Sequence, residues 1–204
     1  VGAGDFKGAN HVAQQCFVIS TSFGIFLAVI GILFAEPILR LFGVEADVVR
    51  EGAAYMRIQF VGSVFMSLRT MSEGIMQASG DSQTPMRIVV FVRLFHIALC
   101  PFLIFGWSLF PRLGVSGAAL TGVAANSLGV VLGLWILFSG RTRLRLTMRG
   151  FRFDGGTIWR MVKIGIPASV TGMERSFANV VMVKLIAPFG TFAVAAHSLV
   201  GRVD

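Results

Sequence analysis

The sequence predicts an all-α integral membrane protein, a polytopic helical bundle of about five full membrane helices plus the start of a sixth. Two observations predict it. Of 204 residues, 55% are hydrophobic and 14% are charged, with a mean hydropathy of +0.78. A soluble domain is typically about 25% charged, so this chain has too little polar surface for water. The apolar residues also come in long unbroken runs rather than in alternation, which argues against a transmembrane barrel.

The first run, residues 12–34, is long enough to cross roughly 30 Å of hydrocarbon, and Glu36-Pro37 is expected to break it. Residues 35–51 read as a mixed-charge connection with a short amphipathic piece at 37–42. A second helix is expected over 53–79 and a third over 86–105. The polar stretch 76–87 between them, MQASGDSQTPMR, holds a helix-stopping Gly80, a turn-forming Asp81 and a Pro85 suited to the first turn of a new helix. Residues 106–114 read as a turn around Pro111, and a fourth helix follows over 115–138. At about 100° per residue, Ala118, Gly122, Asn126, Gly129 and Gly133 share one face of it, a face made for close helix packing. A basic loop, 139–156, leads to a fifth helix over 157–187 with a kink expected at Pro167. Pro188 and Gly190 end that helix, and 191–204 starts a sixth.

Net charge is +8 and the pI about 11.0. In a membrane protein such an excess marks cytoplasmic loops rather than nucleic-acid binding. Seven of the 18 lysines and arginines are Arg141, Arg143, Arg145, Arg149, Arg152, Arg160 and Lys163. With Lys7 and Arg87 they put nine basic residues at the loops 2–10, 80–87 and 139–156 and the adjoining helix ends, against three (Arg40, Arg50, Arg112) on the other side. The odd-numbered loops, the basic loop 139–156 among them, are therefore assigned to the cytoplasm, and the protein to the plasma (inner) membrane as a multi-pass protein. The lipid bilayer is its first partner, and no nucleic acid is expected. Cys16 and Cys100 sit in separate apolar runs and give neither a disulfide framework nor metal spacing. No nucleotide-binding loop, nucleophile elbow or helical His/Glu metal pair is present, so neither an enzyme nor a cofactor is expected. The chain opens in loop-like sequence and closes just inside an apolar run, and so reads as part of a longer polypeptide whose remainder is a further partner.

Polar residues inside the apolar runs carry the remaining information, because a charge at the bilayer centre costs about 2.5–3.5 kcal/mol on insertion scales. Gln59, Ser63, Met66, Thr70, Glu73 and Gln77 form a stripe on the second helix, with Arg69 at its edge. Arg69 and Glu73 are four apart and can form a structural ion pair. The stripe fits a helix lining an aqueous path, and equally an internal pair placed for folding or gating. On the third helix Arg93, His96 and Cys100 share a face; His96 can carry a proton near neutral pH, or simply bond to a neighbouring helix. On the fifth, Ser169, Gly172 and Ser176 share a face with Asn179 at its margin, and Glu174 stands apart, adjacent to Arg175 but unable to share its face.

Taken in order, residues 1–10 (VGAGDFKGAN), 76–86 (MQASGDSQTPM), 100–106 (CPFLIFG), 114–120 (GVSGAAL), 163–167 (KIGIP) and 189–197 (FGTFAVAAH) resemble a multidrug and toxic compound extrusion (MATE) transporter over essentially the whole chain. The resemblance implies part of a twelve-helix, two-lobe transporter. Residues 1–138 would be first-lobe helices three to six, 139–156 the interlobe loop, and 157–204 helix seven and the start of helix eight. It implies secondary active efflux of small organic cations, drugs or metabolites in exchange for H⁺ or Na⁺, with no cofactor besides the coupling ion. A lipid-linked oligosaccharide flippase of the same superfamily is the alternative. The family's fifth helix often reads Asn, three residues, Asp, then Pro. Here His96, Cys100 and Pro101 stand there, so the usual carboxylate is missing and a histidine proton site takes its place. In a related branch helix seven carries a Glu about one turn past its Pro-containing start, and Glu174 lies near that position, its offset from Pro167 one residue short. His96 and Glu174 are thus the candidates for ion or proton coupling, and Gln59, Thr70, Glu73, Asn126 and Asn179 for the substrate cavity.

Overall fold

The computed structural model describes residues 4–41, 46–106 and 114–186, and among them five helices: α1 (Phe6–Leu41), α2 (Ala46–Ala78), α3 (Gln83–Phe105), α4 (Gly114–Ser139) and α5 (Gly155–Ile186). No strand occurs among the described residues. The expected turn at Pro111, the end of the fifth helix at Pro188 and Gly190, and the sixth helix lie outside them. By length and composition three stretches qualify as membrane spans: Phe6–Arg40, Gln83–Phe105 and Ser116–Ser139. α2 and α5 are as long, but are interrupted by charged residues such as Arg69 and Glu73 on α2 and Lys163 and Glu174 on α5.

The chain divides into two units, Val1–Phe153 with α1 to α4 and Asp154–Asp204 with α5. In the first unit α1 packs on α2, α2 on α4 and α4 on α3, while α2 and α3 meet only marginally. Small residues set these approaches. A methyl group added at Gly24 would lie 2.8 Å from the Cα of Val64, so α1 and α2 are in backbone contact there. One at Gly133 of α4 would lie 2.6 Å from the Ser72 hydroxyl of α2. The small-residue face of α4 is therefore the face that receives α2.

The buried core gathers at one end of this unit, where α1 begins and α2 ends. Met71, Ile75, Met76, Val92 and Leu137 pack there with Leu144 and Leu146 from the segment after α4. Along the helices many large apolar side chains are exposed instead, among them Phe23, Phe26, Leu33, Leu94 and Ile97. Against hydrocarbon such a surface carries no penalty.

Several boundaries differ from those expected, and α2 begins at Ala46 rather than at 53. α1 runs through Pro37 to Leu41, so Glu36-Pro37 does not break it and much of 35–51 is helical. The proline removes the hydrogen bond to the Leu33 carbonyl and crowds that carbonyl, a local cost offset where α1 packs on α2. Glu36 steadies this end: Arg40 donates to it at 2.6 Å and Arg57 of α2 at 3.3 Å. α3 begins at Gln83 rather than Met86, because Asp81 accepts the Thr84 backbone N–H at 3.0 Å and the Thr84 hydroxyl at 2.7 Å. α5 begins at Gly155, because Asp154 likewise receives the Gly156 and Thr157 N–H groups at 2.9 and 3.1 Å and the Thr157 hydroxyl at 2.6 Å. Asp5 holds the Gly8 N–H at 2.9 Å in the same way. These carboxylates satisfy the orphan N–H groups of a first helical turn. At the other side of the 76–87 turn, α2 ends in Gly80 at φ 87°, with Gly80 N–H on the Gln77 carbonyl and Asp81 N–H on that of Met76. This is the paired closure that a left-handed residue after a helix allows.

Candidate functional site

The polar stripe of α2 divides between two neighbours. Arg69 and Glu73 turn toward α4. Arg69 Nε donates to Glu73 Oε1 at 2.7 Å, and Arg69 Nη1 donates to Asn126 Oδ1 of α4 at 3.0 Å. Their side chains are 14% and 18% exposed. Gly129 makes room for them, since a methyl group there would stand 2.9 Å from Arg69 Cδ. The result is a three-residue network that neutralises an arginine between two helices, and a charge so paired is tolerable away from water.

Ser63, Met66 and Thr70 turn the other way, into a groove of about 770 Å³ between α1 and α2. Its opposite wall includes Cys16, Ser20 and Phe23, and Leu144 also lines it. The hydroxyls here give their protons to backbone carbonyls: Ser63 to Phe60 at 2.6 Å, Ser67 to Ser20 at 3.0 Å and Thr70 to Met66 at 2.9 Å. A hydroxyl has one proton and two lone pairs, so these oxygens keep acceptor capacity only. A predominantly apolar groove with acceptor oxygens suits an amphipathic molecule that brings its own hydrogen-bond donors.

The other candidates lie elsewhere. Gln59 is exposed on α2, with its amide nitrogen 3.4 Å from the Tyr55 hydroxyl. His96 is half-buried on α3, while Arg93 is exposed, and neither lines the groove. Glu174 and Asn179 are on α5, in the second unit. Thus, in the first unit, Arg69, Glu73 and Asn126 come together, Thr70 stands at the groove, and Gln59 and His96 each stand apart from that network.

Two features were missed by reading the sequence. Ser20 and Ser67, 47 residues apart in sequence, meet across the groove only because α1 and α2 pack. The second is a clamp at the start of α1. Asn10 donates to the Thr147 carbonyl at 3.0 Å and accepts the Thr147 N–H at 2.9 Å; Gln14 donates to the same carbonyl, and Gln15 to that of Arg152 at 2.7 Å. Gln14 and Gln15 are almost fully buried. The basic segment is thereby fastened to α1. The signal available in sequence was three amide side chains at the head of an apolar run. Arg143 of this segment also faces the 76–87 turn. The Asp81 carboxyl is held below the usual carboxylate range first by the Thr84 hydroxyl, then by the Thr84 N–H, with a smaller contribution from Arg143.

Comparison with known proteins gives a consistent result. The MatE family model matches residues 1–102. A probable multidrug resistance protein, YoeA, of Bacillus subtilis (strain 168) is 30% identical over 210 residues, covering 98% of this chain and 45% of the relative. Two solved structures share the fold. One is an outward-facing conformation of a multidrug resistance MATE family transporter of the MOP superfamily, at TM-score 0.86 and 23% identity, covering 97% of this chain and 43% of that one. The other is an inward-facing conformation of such a transporter, at TM-score 0.78 and 24% identity, covering 87% of this chain and 40% of that one. The chain spans about half the length of the relatives it matches.

Proposed function

Because the chain belongs to the MATE family of multi-pass membrane transporters, we propose that it forms part of a secondary active efflux transporter. The transporter exports small organic cations, drugs or metabolites in exchange for H⁺ or Na⁺. Residues 1–138 contribute to the first lobe, 139–156 cross between lobes on the cytoplasmic face of the inner membrane, and 157–204 open the second lobe. Substrate binds near the bilayer midplane and the lobes rock about it.

The observation that carries this reading is the α1–α2 groove, apolar but for oxygens left with acceptor capacity, backed by an arginine that is already neutralised. Such a wall accepts the N–H groups of an amphipathic cation and offers no free positive charge to repel it. A flippase for anionic lipid-linked sugars needs the opposite, free cationic side chains in its cavity, and Arg69 is engaged by Glu73 and Asn126. Thr70 is the substrate contact on the groove, and Gln59, Glu73, Asn126 and Asn179 are further contacts offered to substrate in the complete transporter. His96 and Glu174 exchange the coupling proton, because each is an ionisable side chain set inside a helix, where such a group is expensive to keep unless it serves a function.

The test is transport of a fluorescent organic cation by the full-length protein in everted vesicles, with a pH or a sodium gradient imposed. Glu174→Gln and His96→Ala are expected to slow pH-driven export while leaving cation binding in place. Wild-type export rates in both variants would show the proton roles to be wrong. Stimulation by a lipid-linked sugar precursor, without cation export, would favour the flippase.

A further inference from the structure

The arginines after α4 are presented in an ordered way that the transport reading does not use. In the run from Arg141 to Leu146, exposure alternates residue by residue: Arg141, Arg143 and Arg145 point outward, while Thr142, Leu144 and Leu146 are 9%, 5% and 1% exposed. The inward set is fixed. Thr142 gives its hydroxyl proton to the Leu144 carbonyl at 2.8 Å, Leu146 N–H bonds to the Leu137 carbonyl at 3.0 Å, and Thr147 is held by Asn10. Residues 139–153 contain five arginines and no acidic residue. Asp81, a carboxylate opposite Arg143, is already capping α3.

The depth of this surface in the membrane can be read from its neighbour. Arg141 stacks over the ring of Trp135 at 4.4 Å, and Trp135 is itself 52% exposed one turn before the end of α4. An exposed tryptophan at the end of a membrane helix sits at headgroup level, with hydrocarbon below it and water above. An arginine fork at that depth meets phosphodiesters, whose geometry it matches with two parallel hydrogen bonds.

We propose that Arg141, Arg143 and Arg145 form a binding surface for the anionic headgroups of phospholipids. Nucleic acid or an acidic protein segment would need the surface to stand clear of the bilayer, whereas Trp135 places it at the boundary. Because Leu144, Leu146 and the Thr147 clamp already hold the backbone, a headgroup meets a preformed row of cations and little chain entropy is lost on binding. The inference rests on membrane embedding and not on transport, so it is read without any substrate.

The experiment is native mass spectrometry of the full-length protein released from mixed phosphatidylglycerol and phosphatidylcholine bilayers, counting retained lipids of each class. The wild type is expected to retain phosphatidylglycerol preferentially. Each basic side chain near a lipid surface contributes about fivefold to affinity, so R141Q/R143Q/R145Q is expected to lower the preference more than tenfold. Arg40→Gln, at the opposite end of α1, is expected to leave it unchanged. The charge-conserving R141K/R143K/R145K is expected to keep most of it; loss as complete as in the glutamine variant would mean that packing had failed, and would overturn the headgroup assignment. An unchanged preference in the glutamine variant would overturn it directly. So would equal binding of free glycerol phosphate that is lost in the same variant, since the ligand would then be a soluble phosphate.

Discussion

Replacing Glu73 by methionine tests the polar network most directly. The substitution keeps side-chain volume but leaves Arg69 beside α4 with Asn126 alone. At the observed 2.7 Å, two unit charges in an effective dielectric of about 20 attract by roughly 6 kcal/mol before desolvation is counted. Most of that is offset by taking both groups out of water, and the 14% and 18% exposure of the side chains leaves some screening in place. Breaking a buried pair costs about 3–5 kcal/mol; with this residual exposure, about 3 kcal/mol is expected for Glu73→Met. Arg69→Met should cost less, because Glu73 and Asn126 can each turn to other donors. Removing both, with methionine at each position, should recover much of the loss, since apolar replacements of buried pairs are often neutral. The expected coupling is therefore about 2 kcal/mol. It is measured as a double-mutant cycle on the full-length protein, by reversible denaturation in mixed micelles. A coupling below about 0.5 kcal/mol is what exposed pairs four residues apart give on a helix, and it would refute the claim that the Arg69–Glu73 pair on α2 is shielded where α4 packs.

Two further predictions concern packing and the basic segment. Gly24→Ala places a methyl group 2.8 Å from the Val64 Cα and should destabilise by about 1–3 kcal/mol, because backbone must move. Gly74→Ala meets nothing within 4 Å and should be neutral or stabilising by up to about 1 kcal/mol, so equal melting temperatures for the two variants would contradict the α1–α2 geometry. Asn10→Ala removes two hydrogen bonds from Thr147, worth about 1 kcal/mol each, and trypsin cleavage within the basic segment of the full-length protein should quicken roughly ten- to thirtyfold. An unchanged cleavage rate would show that the clamp does not hold the segment.

The helical membrane fold was legible because hydrocarbon imposes few solutions, and run length alone reports them. Boundaries were less legible where two local rules compete. Pro37 reads as a break, yet its local cost is offset where α1 packs on α2, and Glu36 with Arg40 and Arg57 holds the turn around it. Asp81 reads as a turn residue and Asp154 falls within the basic loop 139–156, and each proved to be the cap of the next helix, which moves the helix start toward the carboxylate. In the candidate site, spacing brings Arg69 within reach of Glu73, because that relation is local. Asn126 as third member depends on which way α4 faces α2, and periodicity gives a face without naming its neighbour. The meeting of Ser20 with Ser67 is of the same kind. Nothing within a single helix marks two serines that touch only after packing.

The bond between Asn10 and Thr147 joins positions 137 residues apart, which orders events during synthesis. α1 is complete and in place long before Thr147 leaves the ribosome, so its buried glutamines and Asn10 must wait with their amides satisfied by water or by transient partners. The clamp closes only when α4 has returned the chain to the same side of the membrane. A topology with one helix failing to cross would carry Thr147 to the wrong side and leave Asn10, Gln14 and Gln15 open. Correct placement of α1 to α4 is thus recorded in one small cluster of amides.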